Sequence, residues 1–567
     1  MNEYEKAKFY FDEGVKFYQN KNYEKAKKSF LECLSRAPNS KPTLENLSKT
    51  YIELGLLDEA EKKLIYLISL NKENKKNDVL AYKLLFKIYT LQNDYLKLEK
   101  LSKEAIYKKK FDEEFTVKSY LFYPNFFNSL DQIKNVRKKF TDKISNLITE
   151  TNFPKLDLNK NLLKPPNFEL SYDGNDNLEI NQKLVKLYVE IYPILKQLNN
   201  YEFTNSKNQK IKIGFISEFF TDHTIMKLFK GIIYKLNKDI FEVYVFHSDK
   251  TRLGVKFNEI NESVVLYNYK NIILPQSFED KVKVIREKNL DILFYTDIHM
   301  SKNLYYLTLV KLAKKHLTSW GHPETTGNKN INFFLSSKLL ETEGFEKNYS
   351  EKVLLANYLP MYFYKPKLQK KLNQEELAKN NIYFCSQSLI KMHPKFDKII
   401  KKILEKDKKG KIIFIKNRNR NLTNQFVERL RESVKENFDR IELINPLITE
   451  DYINKCGEAS VLLDTIWFGA GNSFHESMFY GTPTVTMPTN FMKSRIVAGA
   501  YKQMQVDNPP IVNDIDAYVE KSVELANLKT KEALEIKAYY RKQANKFLYE
   551  NENIIPELEK IFKSLLP

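Results

Sequence analysis

Cysteine is scarce in this chain. Only Cys33, Cys385 and Cys456 occur among 567 residues, far apart and in no CxxC or CxxxC spacing. That argues against a disulfide framework or a thiolate zinc site and fits a reducing compartment. Long apolar runs are missing too. No stretch approaches the roughly 18 apolar residues of a membrane span. The N-terminal MNEYEKAKFYFDEG has no apolar core of signal-peptide length. The expectation is a cytoplasmic protein without membrane insertion. Acidic charge is in deficit, with Asp+Glu 72 against Lys+Arg 92, for a formal net charge of +20. The cations are spread along the whole chain, which points away from a dedicated nucleic-acid surface and leaves a general preference for anionic ligands such as a nucleotide diphosphate. Hydrophobic residues at 42% and aromatics at 13% supply ample packed core.

The first hundred residues repeat. Gly14, Phe17, Ala26, Phe30 and Cys33 are followed, 34 positions on, by Ser48, Tyr51, Ala60, Leu64 and Leu67; Pro38 closes the first unit, and the aromatic position returns at Tyr89. This is the period of tetratricopeptide repeats, in which small residues let paired helices approach and large ones fill the groove between units. Such stacks bind peptides or partners on a concave face. The reading places repeats at 1–110 and a mixed helical linker region at 111–208.

From residue 209 short apolar runs alternate with helix-like segments. IKIGFIS, FEVYVFHS, DILFYTD, LTSWG, INFFLSS and KVLLANY form one set; IYFCSQ, KIIFIKN, RIELINP, VLLDTIW and TVTMPT form another. Strand–helix alternation predicts parallel sheets with helices on both faces. Two Rossmann-like domains are expected, at 209–370 and 371–545, with a closing C-terminal helix at 546–567. A ligand belongs at strand C-terminal ends in the cleft between them.

Four stretches carry the chemistry. In VLLDTIWFGAGNSFHESMFYGTPTVTMP, a buried strand runs through Asp464 into a loop with Gly469 and Gly471 and then a helix, with Asn472 expected as its N-cap. Glycine permits close backbone approach, and helix N-terminal amides favour a diphosphate. Asn472 and Glu476 fall one turn apart on the same helix face, where a carboxylate can accept from ribose hydroxyls. In IYFCSQSLIKMHPKF, Ser388 and Lys391 precede a helix starting near Pro394, which puts a cation at a strand end. In IKIGFISEFFTDHTIMKLFKGII, His223 leads into a helix facing the cleft, as a base, a hydrogen-bond donor or simply a helix cap. In LTSWGHPETTGNKNINFF, His322, Thr325 and Thr326 form a polar turn able to contact a sugar or acceptor. Asp514-Ile515-Asp516 mimics a metal-binding DxD but reads as a helix cap.

In this order the four stretches resemble the O-linked N-acetylglucosamine transferase family and its bacterial relatives. The segments concerned are IGFISEFFTDHT, WGHPETTG followed by NYSEKVLLA, and LLDTIWFGAGNSFHESMFYGTPTVTMPTNFMKSRI. The resemblance implies a GT-B fold behind the repeats, and an inverting, metal-independent transfer from a UDP-sugar to Ser/Thr of a protein such as flagellin or a surface protein. N-acetylglucosamine is the implied sugar, and no cofactor is needed. It implies His223 and Lys391 as catalytic residues. It assigns Ser388, Lys391, Tyr452, Gly471, Asn472, Ser473 and Glu476 to the UDP-sugar, and His322, Thr325 and Thr326 to sugar or acceptor. The acceptor would be held by the repeat groove and the cleft. Departures at Tyr452, His322 and Asn472, the last two leaning toward the adhesin N-glucosyltransferases, leave open an Asn acceptor and glucose as donor sugar. A non-catalytic repeat adaptor is the remaining alternative.

Overall fold

The computed structural model describes residues 2–73, 79–108, 112–149, 154–204, 210–221, 223–247 and 270–566. The chain divides into two compact units, 1–124 and 125–567. The boundaries expected near 110 and 208 lie outside the described residues.

The first unit is helical: Glu3–Gln19, Tyr23–Arg36, Lys41–Glu53, Leu57–Glu73, Val79–Gln92, Tyr95–Lys108 and Glu113–Leu121. The repeat is visible in its turns. Lys21, Gly55 and Asn93 each take positive φ between the two helices of a pair, which reverses the chain tightly. Ala26 and Ala60 are fully buried where paired helices meet, and Phe30, Cys33, Leu64 and Leu67 fill the core. Gly14 sits inside a helix because a Cβ there would lie 2.6 Å from the Phe30 ring. A third pair continues the stack, with the Tyr89 hydroxyl donating to Glu61 Oε1 at 3.0 Å.

The second unit begins with helices Leu130–Thr149, Leu178–Ile191 and Pro193–Asn199; Pro193 breaks what would otherwise be one helix. Two parallel sheets follow. The first holds β1 (Ile211–Ser217), β2 (Phe241–His247), β3 (Lys270–Ile273), β4 (Ile292–Tyr295), β5 (Lys315–Ser319), β6 (Phe333–Ser337) and β7 (Lys352–Ala356), in the order β3-β2-β1-β4-β5-β6-β7. The second holds β8 (Ile382–Cys385), β9 (Lys411–Ile415), β10 (Ile441–Ile444), β11 (Val461–Leu463) and β12 (Thr484–Val485), in the order β10-β9-β8-β11-β12. Every anticipated strand is present. β3 is additional: its KNII run is too short to stand out, and it is fixed by pairing with Tyr244–His247. Both sheets are doubly wound, and the strand order reverses at β1/β4 and at β8/β11. Crevices at such points receive ligands.

The chain passes between the two Rossmann-like domains twice. It crosses after β7 toward β8, and it returns through helix Thr530–Gln543, a π-turn at Ala544–Leu548 and the last helix Ile554–Ser564. Phe562 of that helix packs 6.2 Å from both Phe241 and Phe294 of the first sheet. On the way, buried Lys537 donates to the carbonyls of Leu377 (2.8 Å), Gly457 (2.7 Å) and Ala459 (2.8 Å). Gly457 lies in the last turn of helix Thr449–Glu458, where a cation complements the helix dipole. Burial pulls the Lys537 pKa down to about 7. A second buried cation, Lys493, pairs with Glu324 at 2.7 Å and so joins the two domains. No described helix is long and apolar enough to cross a membrane.

Candidate active site

A cavity of about 520 Å³ opens between the domains at the C-terminal ends of β8 and β11, within the range of small-molecule sites. β8 delivers Ser386, Gln387 and Ser388, followed by a 3-10 turn at Leu389–Lys391 and the helix Pro394–Lys406. His393 caps that helix, its Nδ1 accepting from the Lys395 amide at 3.2 Å. The turn directs Lys391 into the cleft. Its Nζ donates to Gln387 Oε1 at 2.8 Å and to the Gly469 carbonyl at 2.9 Å, and lies 4.8 Å from the centre of the Phe468 ring. Burial pushes the Lys391 pKa down, and Asp464 opposes that shift.

β11 ends at Asp464, whose buried carboxylate organises the glycine loop. Its Oδ1 accepts from the Ala470 amide at 2.7 Å and its Oδ2 accepts from the Thr486 hydroxyl at 2.7 Å. The helix that follows spans Asn472–Ser477, and its N-cap position is Gly471. The expected capping role of Asn472 is therefore wrong by one residue. The loop reaches helical geometry at Asn472 itself, and its side-chain Oδ1 is buried without a hydrogen-bond partner. An orphaned buried acceptor on a cavity wall marks a place where a polar ligand or water belongs.

Ser473 Oγ accepts from Gln387 Nε2 at 3.0 Å, tying the two loops together. The Tyr452 hydroxyl donates to the Ser473 carbonyl at 3.3 Å and shares a hydrogen bond with the Ser386 hydroxyl at 3.0 Å, and burial raises its pKa. Glu476 lines the same wall, its Oε1 2.5 Å from Lys227 Nζ of the first domain.

His223 is both cap and cavity residue. It precedes helix Thr224–Lys235, lines the cleft and stacks on Phe219 at 4.5 Å. The Ile225 amide donates to its Nδ1 at 3.2 Å. A neutral ring in that arrangement carries its proton on Nε2. Of base and donor, the geometry favours donor. Gly321 lines the cavity nearby, and a Cβ there would meet the Thr296 carbonyl oxygen at 1.8 Å.

Lys391, Ser388, Tyr452, Gly471, Asn472, Ser473, Glu476 and His223 thus converge on one cavity. His322, Thr325 and Thr326 are not among its lining residues. His322 is buried behind Phe468 with the ring centres 6.0 Å apart, and its Nδ1 is 3.2 Å from His299 Nδ1. Thr325 Oγ1 donates to Glu351 Oε2 at 2.7 Å, and the Thr326 amide donates to Glu351 Oε1 at 2.7 Å. The polar turn is a framework knot closed by Glu351. Sequence reasoning missed Gln387, Lys227, Trp320 and Phe468, all of which line the cavity. All four lay inside quoted motifs; Lys227 stands one turn after His223. Asp514 caps helix Ile515–Ala526 by accepting from the Ala517 amide, as expected. Among the described residues, no three His, Cys, Asp or Glu side chains gather to hold a metal ion.

No protein-family model matches the chain. A curated protein of Solanum lycopersicum, the probable UDP-N-acetylglucosamine--peptide N-acetylglucosaminyltransferase SPINDLY, is 22% identical over 365 residues, 63% of this chain and 38% of the relative. The probable enzyme SEC of Arabidopsis thaliana is 21% identical over 339 residues, 57% of this chain and 34% of its own length. Among solved structures, the O-GlcNAc transferase of Thermobaculum terrenum matches with a TM-score of 0.69 at 14% identity, covering 100% of this chain and 98% of that one. The chain is thus similar in sequence to these peptide N-acetylglucosaminyltransferases over 57–63% of its length. It shares the fold of the Thermobaculum terrenum structure: helical repeats, then two Rossmann-like domains in the GT-B arrangement. It spans little more than a third of the length of these curated relatives.

Proposed function

We propose that this chain is a glycosyltransferase that moves a sugar, N-acetylglucosamine in the first instance, from a UDP-sugar to Ser or Thr hydroxyls of a protein. The observation that carries the reading is Lys391: a half-buried cation at the end of β8, held against the Gly469 carbonyl at 2.9 Å and lining the interdomain cavity. The two strand-end loops that flank it form the floor on which a diphosphate would lie. Asn472, with its unpartnered Oδ1, and Ser473 offer polar contacts there. Glu476 is within reach of ribose hydroxyls one helical turn on, and Tyr452 borders the base.

The acceptor oxygen attacks the anomeric carbon on the face opposite the diphosphate. The new C–O bond forms as the bond to the β-phosphate oxygen breaks, with inversion; UDP leaves with the electron pair, and the acceptor's hydroxyl proton is lost to water. Lys391 stabilises that charge, an electrostatic task that a fixed cation in a water-poor site performs well. On this reading no metal is required. His223, protonated at Nε2 in its neutral form, orients the acceptor or sugar by donating a hydrogen bond. We assign the helical repeats to holding the acceptor polypeptide.

Intact-mass analysis of candidate acceptors with UDP-N-acetylglucosamine and UDP-glucose, with EDTA present, tests the proposal. Mass addition to Ser or Thr that is lost in Lys391→Ala supports it. Transfer at the parent rate by Lys391→Ala, or dependence on an added divalent cation, overturns the leaving-group assignment.

A further inference from the structure

Lys391 and Asp464 are not hydrogen-bonded to each other, yet a single peptide group joins them. The Gly469 carbonyl accepts from Lys391 Nζ at 2.9 Å, and the amide on the other side of that peptide bond, Ala470 N–H, donates to Asp464 Oδ1 at 2.7 Å. The order is cation, carbonyl, amide, carboxylate. Each charge polarises the peptide toward the other, so both hydrogen bonds are strengthened. Gly469 is required for the wrap, because a Cβ there would lie 2.9 Å from Asp464 Oδ2.

We propose that Asp464 is a positioning residue which, through the Gly469–Ala470 peptide, keeps Lys391 charged and aimed at the diphosphate; this rests on the donor-site reading above. Bracing a loop does not require a charge. Asp464 is 1% exposed, and an ionised carboxylate at such a site costs stability unless a cation compensates it. The charged and titratable groups facing Lys391 are few. Asp464 and the thiol of Cys385 act on it from β11 and β8. Tyr452 and Glu476 line the same wall as Lys391, and His223 and Lys227 line the opposite one, with Lys227 paired to Glu476. Burial pushes the Lys391 pKa down and the Asp464 pKa up, and each partner opposes the other's shift.

The test is Asp464→Asn, which keeps the shape and removes the charge. Pulse acetylation of the whole protein across pH, read by peptide mass analysis, follows the titration of Lys391 without any nucleotide. The expected midpoint in Asp464→Asn is lower by about one pH unit, the usual reach of a nearby opposite charge. An unchanged midpoint overturns the proposal. Should Asp464→Asn fail to fold, Thr486→Val strips one hydrogen bond from the carboxylate, biases it toward its neutral form and lowers the same midpoint by less. UDP affinity completes the experiment. Asp464→Asn should weaken UDP about fourfold more at pH 8 than at pH 6.5, as a midpoint lowered by one unit from about 8 requires, and should add nothing in a Lys391→Met background. Equal weakening at both pH values, or in both backgrounds, reduces Asp464 to a loop brace. Failure of the parent to bind UDP refutes the donor site and leaves the acetylation result to decide the coupling.

Discussion

Lys227 Nζ of the first Rossmann-like domain lies 2.5 Å from Glu476 Oε1 of the second, across the mouth of the cavity. Glu476 is mostly buried, whereas Lys227 is about one-third exposed (side chains 9% and 32%). The carboxylate therefore has two claimants, the lysine and the ribose of the proposed donor. Water can replace the lysine more cheaply than the ribose hydroxyls. Glu476→Ala is expected to weaken UDP binding by more than tenfold, in line with the roughly 1.5–3 kcal/mol of hydrogen bonds to a charged group. Lys227→Met should cost less than tenfold. Calorimetric titration with UDP checks both, and the reverse ranking would move the ribose contact elsewhere.

Lys391→Ala should keep the fold and lose turnover. Removing one preorganised donor from a developing charge typically costs about 10²–10³ in rate, and UDP release with a competent acceptor measures it. Lys391→Arg should recover only part, because the planar fork cannot occupy the Gly469 and Gln387 positions as a compact ammonium does.

His223 has two roles that substitutions can separate. Asparagine can also accept from a helix amide, so His223→Asn should match the parent in thermal unfolding. His223→Ala should lose about 1 kcal/mol, the usual value of an N-cap. Both remove the imidazole from the cavity wall and should lower transfer. Full activity in either variant would confine His223 to capping.

Lys537 gives a pH dependence of stability. Its folded pKa is about 7, while an unfolded lysine titrates near about 10.4. Between those values the unfolded chain binds more protons, so this residue's contribution becomes more favourable as pH rises from about 7 to about 10 and is least favourable below 7. Thermal unfolding of the parent and Lys537→Met over that range should show the parent gaining on the variant as pH rises. Lys537→Met should be the less stable at neutral pH, since it strands three buried carbonyl acceptors, at roughly 1–3 kcal/mol each. Equal melting temperatures would contradict the clamp.

The sequence made legible whatever is decided locally. Strand ends, glycine turns and helix starts are set by neighbouring residues, so the β8 and β11 loops, the His223 helix and the spacing of the repeats could be read in advance. Contacts between distant segments could not. Glu351 determines that Thr325 and Thr326 face inward, and it stands 25 residues downstream of Thr326. Lys227 meets Glu476 only because the two sheets face each other, 249 positions apart in sequence. Asn472 missed its cap by one place because the loop turns helical sooner than the Asp464 strand end alone implies. β3 is too short to announce itself and exists by virtue of its neighbour.

The double crossing between the Rossmann-like domains constrains how they can move. One strap leaves after β7, and the other returns through the π-turn at Ala544–Leu548 to the helix that buries Phe562. Two attachment points define a hinge line. Rotation about it opens and shuts the cleft while leaving both straps at constant length; sliding one sheet past the other would stretch them. The width of the cleft is thereby set by a single angle.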